Sequence, residues 1–229
     1  MIKKFNSKVL KKVQISDSVY LLYLQVPEDF DFIPGQYASL ISEMNQKTIR
    51  RPYSICDLKE GSLELCIKVV ENGIFTSLVP EMKEGQKIEI LGPLGEFKIQ
   101  NREKDLVFIS HGVGIAPFKP IIKSLLEQGF DKKIILIAGY REKQDIIFDL
   151  DFQEMEKEFS NFVYIPSLTC PEEDWQGKVG RVQEVVENLD FNENSDFYLC
   201  GLNQMIVSTR SILNKKGIPM RNIYSERYD

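Results

Sequence analysis

One stretch near the middle of the chain, residues 106–126, constrains the fold more than any other. Leu106, Val107, Phe108 and Ile109 form a continuous apolar run of the kind that makes a strand buried on both faces. The run ends at Ser110 and His111 and meets two glycines spaced G-x-G, Gly112 and Gly114. Beyond them Phe118, Ile121, Ile122, Leu125 and Leu126 recur at helical spacing, which predicts an amphipathic helix. Pro117 stands where that helix begins, a place where a missing N–H costs nothing, and Gly129 is a natural stop. Strand, glycine turn and helix together bring backbone N–H groups and a positive helix end up to a phosphate. A tight turn alone also explains G-x-G, and Pro117 replaces the third glycine of the dinucleotide fingerprint. The flanking sequence has to decide.

On the C-terminal side strands and helices alternate. Strands are predicted at 106–109, 133–138, 162–166, 196–200 and 223–224, with helices from 117, near 150–159, from about 179 to 189 and from about 204 to 216. Such alternation implies a parallel sheet covered on both faces, with ligands at the carboxyl ends of its strands. The segments to inspect are therefore 112–117, Gly139-Tyr140-Arg141, and Cys200-Gly201-Leu202-Asn203-Gln204-Met205.

The N-terminal side reads differently. Short runs rich in Val, Ile, Leu and Tyr at 8–15, 19–26, 37–41, 63–70 and 87–91 are separated by Pro27-Glu28-Asp29, Pro34-Gly35, Glu60-Gly61 and Glu84-Gly85. Short strands at this spacing predict an antiparallel barrel or sandwich, with only 73–79 suggesting a brief helix. Within it, Arg51 offers a bidentate fork for phosphate and Tyr53 a flat ring with a polar tip. Ser54 adds a small donor and acceptor. If these residues form a strand, Arg51 and Tyr53 share one face and Ser54 takes the other. An exposed arginine pair ahead of an ordinary strand is the plainer alternative.

The whole chain sets limits on function. A formal charge of −5 and a pI near 5.2 argue against a nucleic-acid binder, which needs phosphate-neutralising charge. No apolar run approaches the ~20 residues that span a bilayer, and the lysine-rich start has no apolar signal segment. The expectation is a cytoplasmic protein without membrane insertion. The cysteines, Cys56, Cys66, Cys170 and Cys200, form no C-x-x-C, and a single histidine, His111, argues against a His-based metal site. His111 itself reads as a turn residue.

The order of the motifs adds a resemblance. Pro34-Gly35-Gln36-Tyr37, Arg51-Pro52-Tyr53-Ser54, Gly73-Ile74-Phe75-Thr76 and Gly92-Pro93-Leu94-Gly95-Glu96-Phe97 resemble the flavin-binding barrel of the ferredoxin–NADP⁺ reductase superfamily. Gly112-Val113-Gly114-Ile115-Ala116-Pro117 and Cys200-Gly201, with Met205 four residues on, continue the match in family order. The resemblance implies an N-terminal antiparallel Greek-key β-barrel that binds FAD, residues 1–102. It also implies a C-terminal α/β Rossmann-like parallel sheet that binds NAD(P), residues 103–229.

It further implies roles. Arg51 would lie at the flavin pyrophosphate, Tyr53 on the flavin and Ser54 near its reactive N5, with Pro52 also in the FAD-binding set, while Gly73, Phe75 and Thr76 would meet the flavin phosphates. The glycine turn (Gly112, Val113, Gly114, Pro117) would hold the nicotinamide coenzyme with Arg141, Arg181, Cys200 and Gly201. The C-terminal Glu226-x-Tyr228 resembles the terminal Glu-x-Tyr of plant-type reductases, although Asp229 follows the tyrosine here. Tyr228 would cover the flavin, and Ser54, Cys200 and Glu226 would be the catalytic set.

The implied cofactors are FAD, rather than FMN, and NADPH or NADH. Arg141 and Arg181 favour NADPH, whereas Cys170 stands where NADP-using members often carry another arginine. None of the cysteines has iron–sulfur spacing, so a one-electron partner, ferredoxin or flavodoxin, would be a separate chain. The implied activity is hydride transfer between NAD(P)H and FAD at the domain junction, followed by electron transfer to that partner. Two alternatives stay open: an NAD(P)H:flavin reductase that releases reduced flavin, which 174–181 would also suit, and a non-catalytic electron-relay subunit of a larger complex.

Overall fold

Alternating apolar positions in the first half close six strands into a ring. The computed structural model describes residues 1–44 and 47–228. In it β1 (Lys3–Ser16), β2 (Val19–Gln25), β3 (Tyr37–Met44), β4 (Lys47–Lys59), β5 (Ser62–Lys68) and β6 (Lys87–Leu94) form a closed barrel ordered β1-β2-β5-β4-β3-β6. Every pairing is antiparallel. Three hairpin-linked strands with a fourth returned beside the first is Greek-key order, and closure leaves no open sheet edge. Leu22, Leu24, Leu40, Ile55, Leu63, Leu65, Ile67 and Ile90 fill the interior, as period-2 side chains on a closed sheet must. The segment 73–79 supplies a single helical turn, Thr76–Leu78, and its Phe75 and Val79 join the same core.

β4 is longer than its sequence suggests because its first half is charged and contains Pro52. β5 pairs with it only from Ile55 to Lys59, whereas β3 pairs along Lys47 to Ser54. The missing N–H of Pro52 thus falls in the half of the strand that β5 does not reach, where no ladder bond is lost.

The second half builds one parallel sheet. Its strands are β7 (Leu106–His111), β8 (Ile134–Tyr140), β9 (Phe162–Leu168), β10 (Lys178–Val179), β11 (Asp196–Gly201) and β12 (Ile223–Arg227), ordered β10-β9-β8-β7-β11-β12. The helices are α1 (Phe118–Glu127), α2 (Asp149–Glu158), α3 (Val182–Glu187) and α4 (Asn203–Lys215). Val107, Ile109, Phe197 and Leu199 pack with Val182, Val185, Val186, Met205, Ile206 and Leu213 of α3 and α4. On the opposite face the rings of Phe108, Tyr198 and Tyr224 stack across three neighbouring strands, with centroids 5.4 and 4.9 Å apart.

Two expected boundaries move. Residues 178–179 are a short strand rather than the start of a helix, and Gly180, at φ +109°, turns the chain before α3 begins at Val182. The last strand continues past Tyr224 to Arg227. Arg210 on α4 anchors this stretch, donating to the Ile223 carbonyl at 3.3 Å and to Ser225 Oγ at 3.0 Å. Among the described residues no helix is long and apolar enough to cross a membrane.

By contacts the chain divides into two units: Met1–Lys98 with Ala116–Ile121, and Ile99–Ile115 with the chain from Ile122 onward. In the first unit Lys119 Nζ meets Glu64 Oε1 at 3.0 Å, both side chains nearly buried. Glu64 also helps push the Tyr23 phenol up to about 12, after burial itself. Removing one partner of such a pair strands a charge. Lys119→Met should therefore cost about 3–5 kcal/mol in urea unfolding, and Glu64→Leu/Lys119→Met together should recover most of it.

Candidate functional site

The barrel contributes the outer half of β4. Its register sets Leu40 opposite Arg51, Ser39 opposite Pro52, Ala38 opposite Tyr53 and Tyr37 opposite Ser54. Alternation then puts Arg51 and Tyr53 on one side and Ser54 on the other. The Arg51 guanidinium is exposed and Nη1 donates to the Arg50 carbonyl at 3.0 Å. The Tyr53 ring lies 5.9 Å from that of Phe75, and burial raises its phenol well above the ordinary range. Ser54 is 2% exposed, and its Oγ has no hydrogen-bond partner. A buried hydroxyl without a partner is uncommon enough to call for a ligand or a specific reason.

Around the 73–79 turn, a Cβ on Gly73 would collide with Thr76 Oγ1, which accepts the Val70 N–H at 3.2 Å. A hydroxyl that accepts one bond can still donate another. Phe75, expected at the flavin phosphates, has its ring in the barrel core, so its share in any ligand contact falls to its backbone. The exposed guanidinium, the half-buried phenol and the buried hydroxyl suit a ligand with a phosphate and a conjugated ring, which FAD has.

The sheet contributes its switch point. β7 is followed outward by β8 and β9, and the chain then returns to lay β11 on the other side of β7. Ligands of such sheets bind outside the carboxyl ends where this reversal occurs. Gly112–Ile115 forms a single helical turn there, ahead of Pro117 and α1. Gly112 has φ +54°, and open space lies where its side chain would be. Gly114 is different, since a Cβ there would collide with the Cys200 carbonyl. The second glycine is thus explained by packing, and the first leaves room for a phosphate beside backbone N–H groups. Val113 is half-buried and Pro117 buried.

Register brings three polar side chains into one row at this edge. Cys200 pairs with Ser110 of β7 and with Glu226 of β12, and paired residues of a parallel ladder share a face. Burial pushes the Glu226 carboxyl from 4.5 up to about 7. Burial, and then the neighbouring Glu226, push the Cys200 thiol well above its ordinary value. Tyr228 N–H donates to the Gly201 carbonyl at 3.0 Å, so the segment after the last strand is docked through residue 228; Asp229 lies outside the described residues. Sequence reading missed Ser110, whose buried Oγ has no partner. Its position at the end of β7 was visible, but its register against Cys200 was not.

Arg141 is exposed after β8; its Nε lies 3.3 Å from Glu142 Oε1 and its carbonyl accepts the Cys170 N–H at 2.8 Å. Arg181 is exposed at the N-cap of α3.

Glu226 ties stability to pH. Unfolded, its carboxyl ionises near 4.5; folded, it holds its proton until about 7. The folded chain therefore binds more protons over that interval, and its stability falls as pH rises, levelling off above it. Glu226→Gln should flatten this slope. The difference between about pH 5 and pH 8 should shrink by roughly 2 kcal/mol in urea unfolding, discounted because water still reaches the carboxyl.

Comparison with known proteins agrees with both halves. Residues 6–99 match the family described as the oxidoreductase FAD-binding domain, and residues 108–211 the oxidoreductase NAD-binding domain. The electron transfer component of anthranilate 1,2-dioxygenase from Acinetobacter baylyi is 29% identical over 93% of this chain and 64% of that protein. Protein RfbI of Salmonella typhimurium is 30% identical over 96% and 67%, and the phenol hydroxylase P5 protein of Acinetobacter pittii 31% over 100% and 66%. The chain spans about two thirds of the length of these relatives. A ferredoxin NADP⁺ reductase from Neisseria gonorrhoeae, solved with FAD and NADP, shares the fold at TM-score 0.87 and 23% identity over 98% of each chain. The Amycolatopsis cytochrome P450 reductase GcoB does so at 0.89 and 24%, over 99% of this chain and 70% of that one. With a flavin-type barrel, a dinucleotide-type sheet and relatives matched across both, the chain belongs to the ferredoxin–NADP⁺ reductase superfamily of FAD- and NAD(P)-binding oxidoreductases.

Proposed function

We propose that this chain is an oxidoreductase that transfers hydride between NAD(P)H and FAD and delivers electrons to a separate protein carrier. FAD, when bound, supplies the chemistry, since it takes two electrons as hydride and can release them one at a time. Arg51 would hold the flavin phosphates, Tyr53 would lie along its conjugated part, and the spare hydrogen-bonding capacity of Ser54 would meet its polar edge. Gly112, Val113, Gly114 and Pro117 would cradle the nicotinamide coenzyme's pyrophosphate, with Cys200 and Gly201 beside the nicotinamide. The relatives named as electron transfer or reductase components of oxygenases support an acceptor of the ferredoxin kind; flavodoxin is the other candidate.

The observation that carries this reading is the Ser110–Cys200–Glu226 row at the switch point. Burial keeps the thiol neutral, and the carboxyl beside it exchanges its proton near neutral pH. Such a pair is neutral while the carboxyl holds its proton and carries one negative charge, on Glu226, once the proton is released.

Two measurements test the assignment. Purified chain carrying flavin should lose its flavin absorption on anaerobic addition of NADH or NADPH, and Glu226→Gln should slow that step while the flavin stays bound. A mutant rate within about twofold of wild type, less than ~0.5 kcal/mol on the barrier, removes Glu226 from the chemistry. Arg51→Ala should weaken flavin binding roughly ten- to a hundredfold by fluorescence titration, the worth of a charge-assisted phosphate contact.

A further inference from the structure

Two cations at the carboxyl edge of β8 and β9, Arg141 and Lys143, are each paired with a carboxylate. Arg141 Nε lies 3.3 Å from Glu142 Oε1. Gln144 Nε2 donates to the other oxygen of Glu142 at 2.9 Å, which helps to hold this carboxylate in place. Lys143 Nζ pairs with Asp174 Oδ2 at 2.8 Å, which ties the turn after β8 to the loop after β9. At Gly180, beside Arg181, a Cβ would run into the Glu184 carboxylate. The same loop exposes Glu172 and Glu173, and Cys170, next to Arg141 through its backbone, adds no charge.

We infer that this edge selects NADH over NADPH, with Glu142 as the discriminating residue. The inference rests on the oxidoreductase reading above and names its coenzyme. In dinucleotide-binding sheets, an acidic residue past the glycine turn takes the ribose 2′-hydroxyl, whereas a 2′-phosphate needs an arginine to itself. Arg141 is not alone in that way, because Glu142 already faces its Nε. A 2′-phosphate dianion placed here would either compete with Glu142 for the guanidinium or lie against fixed carboxylates, a like-charge contact that disfavours binding. A 2′-hydroxyl donates to the same carboxylate at no such cost. The preference for NADPH read from the sequence took Arg141 as an isolated charge, and its pairing with Glu142 argues the other way.

The test needs no variant at its first step. Calorimetric titration of the whole chain should show AMP binding about tenfold or more tightly than 2′-phospho-AMP; equal or tighter binding of the phosphorylated nucleotide, or binding of neither, overturns the inference. Anaerobic flavin reduction should favour NADH by about tenfold or more in kcat/KM, and Glu142→Gln should raise kcat/KM for NADPH about fivefold while lowering the NADH value. A wild-type preference for NADPH, or a variant with an unchanged coenzyme ratio, also counts against it. If neither coenzyme reduces the flavin, the oxidoreductase reading fails separately, and the two nucleotides still decide whether this edge rejects a 2′-phosphate.

Discussion

The turn after β7 can lie against the end of β11 only because Gly114 has no side chain in the way of the Cys200 carbonyl. Much of the sheet's chemistry follows from that approach. It holds the glycine turn at the reversal in strand order and sets Gly112, with its positive φ and open surroundings, at the start of the turn. It also fixes the end of β11 from which Cys200 faces Ser110 on one side and Glu226 on the other. A single methyl group at residue 114 would push these elements apart, and protein interiors absorb such shifts poorly.

Charge is distributed by depth. Cys200 is fully buried and stays a thiol, Glu226 is pushed toward neutrality, and burial keeps the Tyr53 phenol protonated. The full charges, Arg51, Arg141 and Arg181, are exposed. That is the expected arrangement for redox coenzymes whose phosphates are charged and whose reacting rings are not, since an unpaired buried charge costs several kcal/mol while an exposed arginine costs little.

Much of this was legible in the sequence, and the gaps have identifiable causes. The apolar run at Leu106–Ile109, the glycine turn and the periodic helix after it were read correctly because each signal is local. The change from short alternating strands to β-α alternation was legible for the same reason. β4 was hidden because Lys47, Arg50, Arg51 and Pro52 disguise a strand that is half unpaired by β5. The end of β12 was hidden because Ser225, Glu226 and Arg227 are polar, and what holds Ser225 is Arg210 on another element. Ser110 and the Arg141–Glu142 pair share a different cause. Residue type could be read, but whether a hydroxyl finds a partner or an arginine meets a carboxylate depends on register and rotamer, which no local pattern encodes.

The chain has one tryptophan, Trp175, and it sits in the loop that Asp174 ties to Lys143. Its Nε1 donates to the Lys178 carbonyl at 2.9 Å, and its ring packs over Gly177, where a Cβ would strike it. An indole stationed there is a built-in optical probe of the segment after β9. Its emission responds to polarity and to the hydrogen bond on its nitrogen, so rearrangement of this loop can be followed in unlabelled protein. Because the tryptophan is single, all indole emission comes from this loop.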